Sequence, residues 1–174
     1  LIGTWSSGLM RFKRKTHTMY CYPKLNATNS AYSLFFDKYH RLWVGTWGYG
    51  VVRLDNPGNV KQPGAHQYPY SANHFDTFYK IVHDPVTRTL WACTREGVCY
   101  LEEDIPNAEW KGYNSIGNNP LNFNNDIATD GQGNIWLCTQ NNGILQVNTQ
   151  PSMFKLWNLD KSHTQLTINY IYSI

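Results

Sequence analysis

Apolar and polar positions along this chain fall into short runs, broken at regular intervals by glycine-rich turns. The stretch Leu42-Trp43-Val44-Gly45-Thr46-Trp47-Gly48-Tyr49-Gly50-Val51-Val52-Arg53-Leu54 sets the pattern. An apolar, β-branched run crosses a turn and a second apolar run returns, as in a β-hairpin. The pattern occurs three more times. Leu1 to Trp5 leads to Gly8 to Phe12, Leu90 to Thr94 leads to Gly97 to Leu101, and Ile135 to Thr139 leads to Gly143 to Val147. Aligning Gly3, Gly45, Cys93 and Cys138 gives spacings of 42, 48 and 45 residues. The chain is a repeat.

A second block precedes three of the hairpins. Tyr32 to Asp37, Phe78 to Asp84 and Asn124 to Asp130 each form a short apolar run that closes on an aspartate before a turn. An aspartate opening a turn accepts a bond from the backbone two residues on. Eight residues before each acid stands Asn29, Asp76 or Asn122, and Asn169 continues that register in steps of 47, 46 and 47. After each hairpin a polar loop leads to one more aromatic run: Thr18 to Tyr22, His66 to Tyr70, Glu109 to Tyr113 and Met153 to Trp157. Each unit reads as four short antiparallel strands, A to D, and no window carries a helical period.

Four-stranded units at this period build β-propellers. The expected fold class is all-β, a β-propeller of four-stranded antiparallel blades, with about four blades' worth present as a fragment of a larger propeller. The units fall at about 1–22 (strands B to D), 29–70, 76–113, 122–157 and 166–174 (strand A of the next blade). Joined, the first and last pieces would complete one blade and close a four-bladed ring, so both ring sizes stay open. The chain starts inside a repeat without an initiator Met and reads as a piece of something longer. Trp43, Trp91 and Trp136 hold the same place in strand B, where they are expected to pack one blade on the next.

Composition supports sheet over helix. Aromatic residues make up 15% of the 174 and charged residues 16%, a balance that suits pleated, half-buried surfaces. The net charge of +3 is mild, and only Arg11-Phe12-Lys13-Arg14-Lys15 concentrates it, so no nucleic-acid partner is expected. That run reads as a solvated strand end. No stretch approaches the roughly 20 apolar residues of a membrane-crossing helix. The four cysteines fit no zinc spacing, and neither a metal nor a cofactor is implied. Cys93 and Cys138 read as small buried residues, while Cys93 and Cys99 flank a turn where a disulfide is open, given an oxidising compartment. Asp130-Gly131-Gln132-Gly133-Asn134 lacks the further carboxylates of a calcium loop. Asn26-Ala27-Thr28 matches the glycosylation pattern.

The repeat Asn-x-x-x-x-Ile, Asp-x-x-Gly-x-Leu/Ile-Trp-Ile/Val-Gly-Thr, Gly-Leu/Val resembles the two-component-regulator propeller repeat. The best matches are Asn29 through Val51 and Asn122 through Ile144. Departures are Cys93 and Cys138 in place of the motif's Gly, a turn shortened by one residue in the third unit, and an Asp84-Pro85 turn without Gly. The resemblance implies the periplasmic sensor part of an inner-membrane hybrid two-component protein. It further implies partners within the same longer chain: more blades, an immunoglobulin-like β-domain, a membrane span and a cytoplasmic histidine kinase. The ligand it implies is an oligosaccharide released from polysaccharide, and a homodimer is a further partner considered.

In a propeller, the B–C turns and D–A loops share one face. The B–C turns carry Trp5, Trp47, Tyr49, Arg95, Glu96, Asn141 and Asn142; the D–A loops carry Asn73, His74, Asn118, Asn119, Asp160 and His163. Aromatic faces cover the apolar faces of a sugar while Asn, Glu and Arg bond its hydroxyls. Trp5, Trp47, Tyr49, Arg95, Asn141, Asn142 and His74 are the expected ligand contacts, with Trp47 and Tyr49 foremost because they flank Gly48 in a short turn. Exposed aromatics equally suit a protein interface. No catalytic residue is assigned. The six histidines are scattered, and Glu102, Glu103 and Asp104 read as a solvated C–D loop. A glycosidase needs two carboxylates roughly 5–10 Å apart, whereas Asp76, Glu96 and Asp160 lie on separate units. A propeller enzyme acting on glycans and a purely structural segment remain the alternatives.

Overall fold

The computed structural model describes residues 1–25, 29–68, 77–103, 105, 108–121, 124–149 and 154–157. The possible glycosylation site at 26–28 and Asn73, His74, Asp76, Asp104, Asn122, Asp160, His163 and Asn169 lie outside them, as does the expected strand at 166–174. The chain divides into two compact units, Leu1–Ile81 and Val82–Ile174.

The described strands are β1 (Ile2–Gly3), β2 (Leu9–Lys13), β3 (Thr18–Cys21), β4 (Ser33–Phe36), β5 (Leu42–Gly45), β6 (Val51–Leu54), β7 (Ala65–Tyr68), β8 (Phe78–Asp84) and β9 (Thr89–Thr94). They continue as β10 (Val98–Glu102), β11 (Lys111–Tyr113), β12 (Ser115–Ile116), β13 (Asn119–Pro120), β14 (Asn124–Thr129), β15 (Asn134–Thr139), β16 (Ile144–Asn148) and β17 (Phe154–Trp157). They make four antiparallel sheets in plain sequence order, β1-β2-β3, β4-β5-β6-β7, β8-β9-β10-β11 and β14-β15-β16-β17. The A-to-D order is seen in the second, third and fourth of these sheets, and the first supplies strands B to D, as expected. The unit boundary falls within β8.

The sequence reading left out one element. β12 and β13 form a two-stranded hairpin, Ser115 opposite Pro120 and Ile116 opposite Asn119, where a D–A loop was expected. Its turn is Gly117-Asn118, with Gly117 at φ 57°, which is a usual two-residue hairpin connection.

Each A–B turn is built on its aspartate, as the sequence predicts. Asp37 Oδ1 accepts from Tyr39 N at 2.9 Å, Asp84 Oδ1 from Val86 N at 3.0 Å, and Asp130 Oδ1 from Gln132 N at 2.7 Å. The turns then close through a left-handed residue. Gly133 supplies it in the fourth sheet at φ 88°, while His40 and Arg88 adopt φ 61° and 57° without glycine's freedom.

The core of the first unit lies between its first two sheets. Leu42, Val44, Val52 and Leu54 form one face of β5–β6, as Leu42 pairs with Leu54 and Val44 with Val52. They bury against Leu9, Tyr22 and Ala31. Alternation sends Trp43 to the opposite face, where its cross-strand neighbour is Arg53. There the Trp43 ring lies 5.3 Å from Tyr68, with the Arg53 guanidinium 5.7 Å above it. Trp91 likewise stacks at 5.1 Å on Tyr100, its partner on β10. These contacts of Trp43 and Trp91 lie within their own sheets.

Cys93 pairs with Val98 and Cys99 with Ala92, so the two thiols are one register step apart and no disulfide joins them. The small-residue reading of Cys93 and Cys138 is right, since both are fully buried. Burial, with Cys93 and Glu96 adding to it, pushes the Cys99 thiol well above its ordinary pKa. Only Cys21 is exposed. Iodoacetamide should therefore modify one cysteine in the native chain and four after denaturation, read by mass spectrometry. Rapid native labelling of Cys99 would contradict this packing.

Candidate functional site

The site grows from the threonine that ends each strand B. Thr4, Thr46, Thr94 and Thr139 each donate both N–H and Oγ1–H to one glycine carbonyl across the B–C turn. The acceptors are Gly8, Gly50, Gly97 and Gly143, with Oγ1–O distances of 2.8, 2.8, 2.8 and 2.9 Å. Thr94 reaches Gly97 with one residue fewer in between, which accounts for the shortened third turn. The threonine carbonyl then holds the segment that enters the next strand A. Ala31 N donates to Thr4 O at 2.8 Å and Phe78 N to Thr46 O at 3.0 Å, while Asn124 Nδ2 donates to Thr94 O at 3.3 Å. The first three B–C turns are thereby fixed beside the start of the following strand A.

In the first unit this arrangement gathers four aromatic rings. Trp5 lies 4.8 Å from Trp47 and 6.2 Å from Tyr32. Trp47 lies 6.1 Å from Tyr32 and 6.0 Å from Tyr79, and Tyr32 is 5.7 Å from Tyr79. The turn beneath them is pinned by Trp47 N donating to Ser30 Oγ at 3.0 Å and Gly48 N donating to Thr77 Oγ1 at 3.2 Å. Gly48 and Gly50 take φ of 78° and 70°, so this tight turn uses the freedom of both glycines. Trp5 is 59% and Tyr32 48% exposed, whereas Trp47, Tyr49 and Tyr79 are half-buried. The patch therefore presents two open rings backed by two supporting ones.

Of the residues expected from sequence, Trp5 and Trp47 come together here, and Tyr49 sits in the same turn as Trp47. The exposed ring is Trp5 rather than Trp47, because Trp47 is flanked by three aromatic neighbours. Arg95, Asn141 and Asn142 belong to the second unit. Arg95 Nε pairs with Glu96 Oε1 at 2.6 Å. Asn142 donates from N to Thr139 Oγ1 and from Nδ2 to Pro120 O, both at 2.9 Å, so it braces its own turn and the β12–β13 hairpin. Asn141 is exposed. His74 lies outside the described residues. Tyr32 and Tyr79 escaped the sequence reading. Their signal was present, since both stand three residues after the register residues Asn29 and Asp76.

The C–D loop of the third sheet is less solvated than expected. The Glu103 side chain is fully buried, with His83 Nε2 3.4 Å from Oε2, while exposed Lys111 Nζ meets Glu102 Oε1 at 3.0 Å. Among the described residues no group of three or more His, Cys, Asp and Glu side chains is placed to hold a metal ion.

Residues 26–48 match the family model "Two component regulator propeller". Among solved structures, 97% of the chain aligns with the extracellular domain of BT4673 from B. thetaiotaomicron, assigned as a hybrid two component system, at TM-score 0.74 and 19% identity. A second structure of that domain, assigned as a one component system, aligns at TM-score 0.73 and 20% identity. The extracellular domain of BT3049 from the same organism, also assigned as a hybrid two component system, aligns over 82% of the chain at TM-score 0.61 and 17% identity. The chain is a β-propeller-like domain. It spans about a fifth of these extracellular domains: 22%, 22% and 20%. No curated protein matches the sequence.

Proposed function

We infer that this chain is the ligand-sensing propeller segment of a two-component signalling protein, held outside the cytoplasm, and that it responds to oligosaccharides from polysaccharide breakdown. The observation that carries the reading is the exposed aromatic patch of Trp5 and Tyr32, backed by Trp47 and Tyr79, on a fold shared with extracellular domains of assigned two-component systems. A ring pair fixed by backbone bonds is preorganised for the apolar face of a sugar, and so loses little entropy on binding. Tyr49 completes the contact set in the first unit; Arg95, Asn141, Asn142 and His74 are candidates for hydroxyl contacts. The partners in this reading are the remaining blades, the immunoglobulin-like domain, the membrane span and the histidine kinase of a longer protein. Signalling then requires that ligand bind one arrangement of the sensor more tightly than the other.

The experiment is a thermal-shift screen against neutral and acidic oligosaccharides. Ligand binding to the folded state raises Tm by mass action. One glycan class is expected to raise Tm, and Trp5→Ala, at an exposed position, is expected to remove that rise while leaving the unliganded Tm nearly unchanged. Absence of any shift across the panel, or a shift that survives Trp5→Ala, defeats the reading. The same open rings also suit an interface between two copies of the chain. Sedimentation at rising concentration separates the two, since a dimer surface would show self-association that Trp5→Ala abolishes.

A further inference from the structure

At the other end of β2 from the aromatic patch, the first unit has a groove of about 560 Å³. Its lining is Arg11, Lys13 and Tyr20 from β2 and β3, with Asn56, Asn59 and Lys61 among those from the β6–β7 connection. Three cations and no carboxylate line it. Among the described residues no acid is paired with Arg11, Lys13 or Lys61. The nearest acid along the loop, Asp55, is already engaged by Arg53 Nε at 2.7 Å and His66 Nε2 at 2.8 Å.

The walls are fixed. Arg11 Nη1 donates to Gly58 O at 2.7 Å, and the buried Tyr22 hydroxyl donates to the neighbouring Pro57 O. The loop is folded on itself by Asn59 N to Asn56 O at 3.0 Å, Asn56 N to Pro63 O at 2.8 Å and Gln62 N to Asn59 Oδ1 at 3.2 Å. Arg11 and Tyr20 are direct cross-strand partners, so a guanidinium and a phenol stand side by side on one face. A wall-held guanidinium, two exposed ammonium groups and amide donors stand together in this concavity at the solvated strand end.

We propose that this groove binds a small ligand carrying two or more oxyanion groups, whether sulfate or phosphate, with Arg11, Lys13 and Lys61 as its charge partners. The site is separate from the aromatic patch and stands whether or not that patch binds sugar. Calorimetric titration of the whole chain at constant ionic strength tests it with four probes: inorganic sulfate, inorganic pyrophosphate, a disulfated disaccharide and its unsulfated parent. The multivalent probes should bind at least about tenfold more tightly than sulfate. Lys13→Gln/Lys61→Gln, both exposed and outside the core, should weaken them by about tenfold or more, and Trp5→Ala should leave them unchanged. Tighter binding of the disulfated sugar than of pyrophosphate assigns a sugar-borne ligand, and the reverse order a phosphate compound; either supports the site. Failure of both multivalent probes to bind, or equal affinity in the double lysine variant, overturns it.

Discussion

Asp37→Ala is expected to lower stability by about 3–5 kcal/mol, the usual penalty for removing one partner of a buried ion pair. The Asp37 side chain is fully buried and satisfies a whole turn. Its Oδ2 accepts from Arg41 Nε at 2.6 Å and Trp43 Nε1 at 2.8 Å, and its Oδ1 from the backbone N of Tyr39 and Arg41 at 2.9 Å. Alanine would remove the carboxylate acceptor of the Arg41 guanidinium and the Trp43 indole N–H together. At roughly 2–4 °C per kcal/mol, Tm should fall by about 6–20 °C. Asp130 occupies the same slot of the fourth sheet but is exposed, so Asp130→Ala should barely move Tm. Equal effects at the two positions would contradict the burial difference.

The same carboxylate sets an acid limit. Burial pushes the Asp37 pKa up, but bonds from Trp43 and Arg41 and the Arg41 charge outweigh it and hold the pKa below its ordinary value. Asp84 is lowered in the same way, with burial opposed by Thr87, Thr149 and Val86. Because both folded pKa values lie below the unfolded carboxylate value of about 3.9, the unfolded chain takes up protons first as pH falls. The stabilisation is complete well above pH 4 and is lost as pH drops through the folded values. Asp37→Asn should flatten this acid-side loss in denaturant titrations between about pH 5 and 2. An unchanged slope would show that Asp37 is not held in this way.

Gly45→Cys is the second large effect, though cysteine stands at the equivalent positions 93 and 138. A Cβ on Gly45 would sit 2.8 Å from the Phe78 carbonyl oxygen and closer still to Ser33 Oγ. Ser33 can rotate away; the Phe78 carbonyl is backbone and cannot move without shifting β8. Overpacking of this kind costs about 1–3 kcal/mol, and chemical denaturation should report it. A cysteine tolerated at 45 without loss would mean that the first unit is less tightly closed over β5 than described. The repeats are similar in pattern but not interchangeable in packing.

That contrast marks what could be read from the chain. The glycine-rich hairpin turns and the aspartate turns were legible because each depends on residues within about five of one another. The shortened turn at Thr94 was legible for the same reason. What stayed hidden depends on longer range. Nothing local distinguishes buried Asp37 from exposed Asp130, or solvated Glu102 from buried Glu103. The Trp5–Tyr32–Trp47–Tyr79 patch joins four residues from successive repeats, and its two tyrosines lie at strand starts, where sequence logic assigns core. The β12–β13 hairpin was missed for a different reason. Its Gly117-Asn118 turn is clear, but its strands have two residues each and no apolar alternation.

The most direct measurement is calorimetric titration of the glycan giving the largest thermal shift into wild type, Trp5→Ala and Trp5→Ala/Tyr32→Ala. Sensing through the aromatic patch predicts Kd weakened by about tenfold or more in the single variant, equivalent to about 1.4 kcal/mol, and further in the double, with the unliganded Tm of both retained. Unchanged Kd in the folded double variant would contradict it.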